Sequence, residues 1–305
     1  MRIITNPLKD HEIPEAIMIK NVIITVVILI VVIVGIYVYG YYHAQKMPDN
    51  NPNWFLQNRE SFSDKKTVVC IGDSITHGRV SANYVDIVAG KLDSKRYVLV
   101  NAGINSELAY NVLQRLEEII KCKPDFVTIL IGTNDANGTM SEKNAARAVK
   151  EMKLPQKPTA EWYRQNLVAL CKKLKAETEA KIALLSLPPI GEEINSEAYE
   201  RTVKFSKIIR EVSQAEGVTY LPLNERITEY LKAENHVPAL TYKKGFLGVM
   251  YKGIFFHFLL GRSFDEISES NGFLIVTDFL HLNNRGAEMV AELIEGFVRG
   301  AAATR

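Results

Sequence analysis

From Lys66 onward the chain alternates short β-branched apolar runs with amphipathic stretches, and few folds satisfy that order. The runs are Thr67–Ile71, Tyr97–Val100, Phe126–Ile131, Ile182–Leu187 and Val218–Leu221. Each is nearly continuous in apolar residues, as in strands buried on both faces, rather than alternating as in a half-solvated sheet. Helical patterns separate them at 81–92, 107–121, 160–178, 195–216 and 224–234, and a last one spans 284–299. Thr159, followed by Glu161 and Trp162, predicts a helix start, and Gly217 predicts the end of the fourth helix. The order predicts an α/β fold, a three-layer α/β/α sandwich around a parallel five-stranded sheet.

A second constraint lies upstream. Residues 21–45 contain no Asp, Glu, Lys or Arg. A helix from Val22 to Tyr42 would extend about 31 Å, the thickness of a hydrocarbon layer. It is apolar all round, whereas a core helix keeps a polar stripe. Tyr37, Tyr39, Tyr41 and Tyr42 suit the membrane interface. A cleaved signal peptide has a shorter apolar region and small residues at its cleavage site, so residues 21–42 are expected to be a retained transmembrane helix after a short segment, 1–20. Arg2, Lys9 and Lys20 precede it, and Lys46 and Arg59 follow closely. That excess of one positive charge points the amino end inward and the rest of the chain to the extracytoplasmic side. Met18 also resembles a start site, which would make residues 1–17 an extension.

Residues 43–65 carry Pro48, Pro52, several Asn and no sustained periodicity, and are expected to form a linker to a folded domain at 66–305. Within the linker, Trp54 and Phe55 are expected to dock on the domain. Lys and Arg total 37 against 35 Asp and Glu, a net charge of +2 with no basic stripe, which excludes nucleic acid as a partner. Cys70, Cys122 and Cys171 form no C-x-x-C pair or disulfide framework, and are expected to be small buried apolar residues.

In open α/β sheets the chemistry sits at the carboxyl ends of the strands. There the sequence reads Gly72-Asp73-Ser74 after the first run, Asn101-Ala102-Gly103 after the second and Gly132-Thr133-Asn134-Asp135 after the third. Asp278-Phe279-Leu280-His281 precedes the last helix. Each block alone is a common turn. In this order the four resemble the GDSL, or SGNH, esterase and lipase family, over about residues 66–299. The resemblance implies a flavodoxin-like SGNH fold and ester hydrolysis without a metal or other cofactor.

The residues support the same chemistry. A serine hydroxyl needs an adjacent general base, which histidine supplies best near neutral pH. Ser74 and His281 are the candidates. Asp278, three residues before His281, can fold back to hold the other ring nitrogen, the role the family assigns to it. For the oxyanion the resemblance implies the backbone N–H groups of Ser74 and Gly103 and the side-chain amide of Asn134. After Gly103 the chain departs from the family's usual Ser-Gly, reading Ile104-Asn105-Ser106-Glu107.

Other polar residues near the blocks have plainer readings. Asp73 is expected to start a helix and Asp135 to fix its loop. His77 is too close to Ser74 to turn back on it. His11, His43, His236 and His257 lack metal-ligand spacing. The sequon Asn137-Gly138-Thr139 would crowd the site and reads as chance. Segment 236–277 contains two apolar runs, Phe246–Tyr251 and Ile254–Leu260, that are too short to span a bilayer. It predicts either an apolar lid or acyl-chain wall, with Lys243, Lys244, Lys252 and Arg262 near anionic headgroups, or an extra helix packed on the core.

The expected function is a membrane-anchored serine hydrolase of carboxylic esters, with a lipid ester such as a lysophospholipid, or an acetylated glycan, as substrate. A ligand-binding module on the same fold remains an alternative. A nucleotide binder is disfavoured, because neither G-x-x-x-x-G-K-[ST] nor G-x-G-x-x-G is present.

Overall fold

The computed structural model describes residues 15–242 and 246–303. The chain divides into two compact units, Met1–His43 and Ala44–Arg305. Five parallel strands, β1 (Lys66–Gly72), β2 (Tyr97–Gly103), β3 (Phe126–Leu130), β4 (Lys181–Leu185) and β5 (Thr219–Leu221), pair in the order β2-β1-β3-β4-β5. This is the doubly wound, flavodoxin-like order, and its direction reverses between β1 and β3. All five expected strands are present, their ends within three residues of those expected. Their near-continuous apolar character has the expected cause, since β2 and β3 are buried along their whole length.

In chain order the helices are α1 (Glu15–Gln45), α2 (Pro52–Gln57), α3 (Ser74–His77), α4 (Tyr84–Lys91), α5 (Ala109–Gln114), α6 (Leu116–Lys121) and α7 (Thr133–Gly138). They continue with α8 (Glu142–Met152), α9 (Ala160–Glu177), α10 (Glu197–Glu216), α11 (Leu223–Ala233), α12 (Phe246–Leu260), α13 (Phe264–Ser270) and α14 (Asn284–Ala303). Right-handed crossovers put α4 on one face, where it packs with α14, and α5, α9 and α10 on the other. Thr159 caps α9 through the Trp162 N–H, and α10 ends on left-handed Gly217 at φ 67°, both as expected.

Within α1, Ile17–Gln45 contains an 18-residue window of mean hydropathy 3.1 and is long and apolar enough to cross a membrane. Within the linker at 43–65, Trp54 and Phe55 pack on the domain, as expected. Asn51 caps α2 by accepting the Trp54 N–H at 3.1 Å, and Phe55 is 2% exposed within the core. The Asn50 carbonyl accepts the Asn101 N–H at 3.0 Å, covering part of the open edge of β2.

Three further differences have local causes. The pattern at 107–121 is two helices, α5 and α6, broken at Arg115, whose guanidinium turns back to Glu107. The helix α8 was not anticipated because Ala145 is its only buried residue. Segment 246–260 is a helix that meets α13, with Leu247, Tyr251, Phe255 and Leu260 exposed on its outer side. Arg2, Lys9, His11, Lys243 and Lys244 lie outside the described residues.

Candidate active site

The chain leaves β1 through a tight turn. A Cβ on Gly72 would fall 2.4 Å from the Leu130 carbonyl oxygen, so only glycine fits beside β3. Asp73 then caps α3, its carboxylate accepting the Ile75 N–H at 3.0 Å, which makes Ser74 the first helical residue. Gly78 ends α3 at φ 74°. His77, at the end of this turn, is buried with its Nδ1 unpartnered. Burial, aided by Arg79, pushes its pKa down to about 4.

Asp278 and His281 lie on a narrow hairpin closed by an antiparallel bridge between Val276 and Leu282. The Thr277 N–H donates to the His281 carbonyl at 2.7 Å. Asp278 Oδ1 accepts the N–H groups of Leu280 and His281, each at 3.1 Å, so the carboxylate shapes its own turn. Phe279 adopts φ 94°, a strained conformation for a bulky residue. Its carbonyl accepts the Gly191 N–H at 2.8 Å. Ser81 and Ala82 hold the far side, both bonding the backbone of Leu282.

The fold brings these segments together across 207 residues of sequence. Ser74 Oγ lies 2.9 Å from His281 Nε2, and His281 Nδ1 lies 2.7 Å from Asp278 Oδ2. Ser74 is partly exposed, whereas Asp278 and His281 are 3% and 4% exposed. Burial alone would depress the His281 pKa; the charge and hydrogen bond of Asp278, with the charge of Asp73, outweigh it and leave it raised. Burial likewise pushes Asp73 up to about 7 and Asp135 up to about 7.

Asn134, on α7, donates its amide to the Glu107 carbonyl at 3.0 Å and to Asp73 Oδ2 at 3.3 Å, which places it beside the Asp73-Ser74 turn. Asp135 fixes the loop after β2 by accepting the Ala109 N–H at 3.1 Å. Gly103 requires a correction. Its N–H donates to Asn101 Oδ1 at 3.0 Å, so it is not free for an oxyanion. Glycine is needed there because a Cβ would fall 2.2 Å from the His77 nitrogen, under α3. In the same loop Ser106 is exposed at φ 65°, in the left-handed region that glycine favours. Asn137 of the sequon accepts at Oδ1 from Asn144 at 2.9 Å and from Tyr242.

A hydroxyl, an imidazole and a carboxylate in line at the switch point of a doubly wound sheet are chemically able to carry out acyl transfer. Residues 70–289 match the profile of the GDSL-like lipase/acylhydrolase family. The chain belongs to this family. Its fold is similar to that of an acetyl xylan esterase at 20% identity, with a TM-score of 0.56 over 76% of this chain and 99% of that one. An acetylxylan esterase from Geobacillus stearothermophilus gives 17% identity and a TM-score of 0.52, covering 75% of this chain and 92% of that one. A lipase/acylhydrolase from Enterococcus faecalis gives 23% and 0.52, covering 77% and 96%. No relative is found among curated proteins. Membership of the GDSL-like family makes the chain an esterase-type hydrolase acting on a small-molecule ester.

Proposed function

We propose that the protein is a membrane-anchored serine hydrolase that cleaves short acyl esters, foremost acetyl groups on carbohydrate, through an acyl-enzyme. The single observation that carries the chemistry is the unbroken relay from Ser74 Oγ through His281 to Asp278, at 2.9 and 2.7 Å. Ser74 Oγ attacks the ester carbonyl while His281 Nε2 takes its proton. The ester C–O bond then breaks, and His281 returns the proton to the departing alkoxide. Water repeats the sequence against the acyl-serine, giving its proton to His281, and the proton passes back to Ser74 as the acid leaves. Throughout, Asp278 holds the imidazole tautomer and stabilises the imidazolium.

The oxyanion needs donors that no other group occupies. The Ser74 N–H, at the first position of α3, has no acceptor among the described residues. Neither has the N–H of Ser106, which takes the place first expected for Gly103. Asn134 completes the set when the oxyanion replaces its longer contact, that to Asp73. The acetyl preference is supported by the acetyl xylan esterases of similar fold.

Anchoring and an extracytoplasmic position are supported by the hydropathy of Ile17–Gln45 and by the charge excess on its amino side. A lipid ester is the second reading, favoured by the apolar side chains that α12 exposes, Leu247, Tyr251, Phe255 and Leu260. Hydrolysis of p-nitrophenyl esters from acetate to long acyl chains by the detergent-solubilised chain tests both. Acetate preference, abolished in Ser74→Ala, supports the first reading, and a long-chain preference supports the second. Absence of turnover at every chain length would favour the binding module.

A further inference from the structure

Glu192 is fully buried in the loop that follows β4, yet the relay makes no direct use of it. A carboxylate is costly to bury unless several hydrogen bonds replace its water. Its partners are consecutive. Oε1 accepts the N–H groups of Leu274 at 3.0 Å, Ile275 at 2.6 Å and Val276 at 2.9 Å, and Oε2 also accepts that of Leu274 at 2.8 Å. Oε2 lies 2.7 Å from His236 Nε2, close but not aligned as a hydrogen bond. His236 begins the 236–277 insertion and Leu274–Val276 end it, so one carboxylate meets both ends.

The segment it holds leads directly into the site. Val276 forms the bridge to Leu282 that closes the hairpin, and Asp278 follows two residues later. The preceding residue, Gly191, bonds the carbonyl of strained Phe279 from the same loop. We propose that Glu192 is a positioning residue, its carboxylate clamping both ends of the insertion to the loop after β4 and thereby setting the place of His281 over Ser74. This rests on the Ser74-His281-Asp278 reading. Four bonds to one rigid anchor leave the hairpin little freedom, and a displacement of about 1 Å at the base is enough to cost about 100-fold in rate.

Glu192→Gln is the informative variant. Its single amide oxygen can keep the Oε1 bonds, but its NH2 group faces the Leu274 N–H where Oε2 accepted, and the charge opposite His236 is gone. The full chain in detergent is to be labelled with a fluorophosphonate, reading the labelled fraction and the rate constant separately, alongside kcat and KM. The expected result is complete labelling, with the rate constant and kcat each lower by about 10- to 100-fold and KM little changed. A merely structural role would lower the labelled fraction and leave the rate constant within about twofold of the parent, and that result overturns the proposal. Should Glu192→Gln fail to fold, His236→Gln decides, with a drop of about 3- to 10-fold in the same rate constant expected and no change overturning. Failure of the unsubstituted chain to label at all, equally with Ser74→Ala, would instead remove the serine reading itself.

Discussion

The Cβ that any residue but glycine would bring to position 103 falls 2.2 Å from the backbone nitrogen of His77. Gly103 is thus the floor on which α3, and Ser74 with it, rests. Gly103→Ala is expected to cost about 1–3 kcal/mol of stability, as overpacking does. Chemical denaturation measures this, and an unchanged midpoint would contradict the contact.

Asn134 is expected to act as an oxyanion donor and not as a substrate-binding group. Asn134→Ala should lower kcat by about 100- to 1,000-fold with KM little changed. Steady-state kinetics on p-nitrophenyl acetate tests it; a rise in KM alone would reassign the residue.

The pH profile reports the His281–Asp278 bond. The base must be neutral to accept the proton of Ser74, so activity rises as pH passes upward through the His281 pKa, which is held above 6.5. Asp278→Asn removes the charge that favours the imidazolium. The acid limb of kcat/KM is then expected to move to lower pH, with kcat down about 10,000-fold. A limb that stayed in place would mean that another group titrates there.

Burial pushes the Asp135 carboxyl from 3.8 to about 7. Below pH 3.8 it is protonated whether folded or unfolded. Between 3.8 and about 7 the folded chain holds the extra proton, so stability falls as pH rises through that window. Asp135→Asn can keep the bond to the Ala109 N–H without titrating. Its melting temperature relative to the parent should therefore rise from pH 4 to pH 8, and a difference independent of pH would refute the shift.

Phe55 connects segment 43–65 to the domain core. Phe55→Ala should destabilise the chain by about 3–5 kcal/mol, as loss of a buried ring does. A loose tether would show no change in thermal unfolding.

Much of this molecule was legible because the information is local. Strand burial reads as continuous apolar runs, caps such as Thr159 act within a turn, and Asp278 with His281 lie three residues apart on one hairpin. Glu192 was not legible. It sits in Pro188-Pro189-Ile190-Gly191-Glu192-Glu193, where nothing distinguishes it from its solvated neighbour, and its meaning comes from amides about 82 residues away. The docking of Phe55 was legible as an apolar pair in polar text, but the elements that bury it lie far away in the sequence.

The sequence by itself determined the order of strands and helices, the apolar N-terminal helix and the residue types available for acyl transfer, because periodicity, capping and side-chain chemistry act over a few residues. Only the tertiary structure decided which N–H groups remain free for an oxyanion, that Gly103 is spent on packing, and that Ser74 meets His281. A hydrogen-bonding group has one geometry and a limited number of partners, and which partners reach it is settled when segments far apart in the chain pack together.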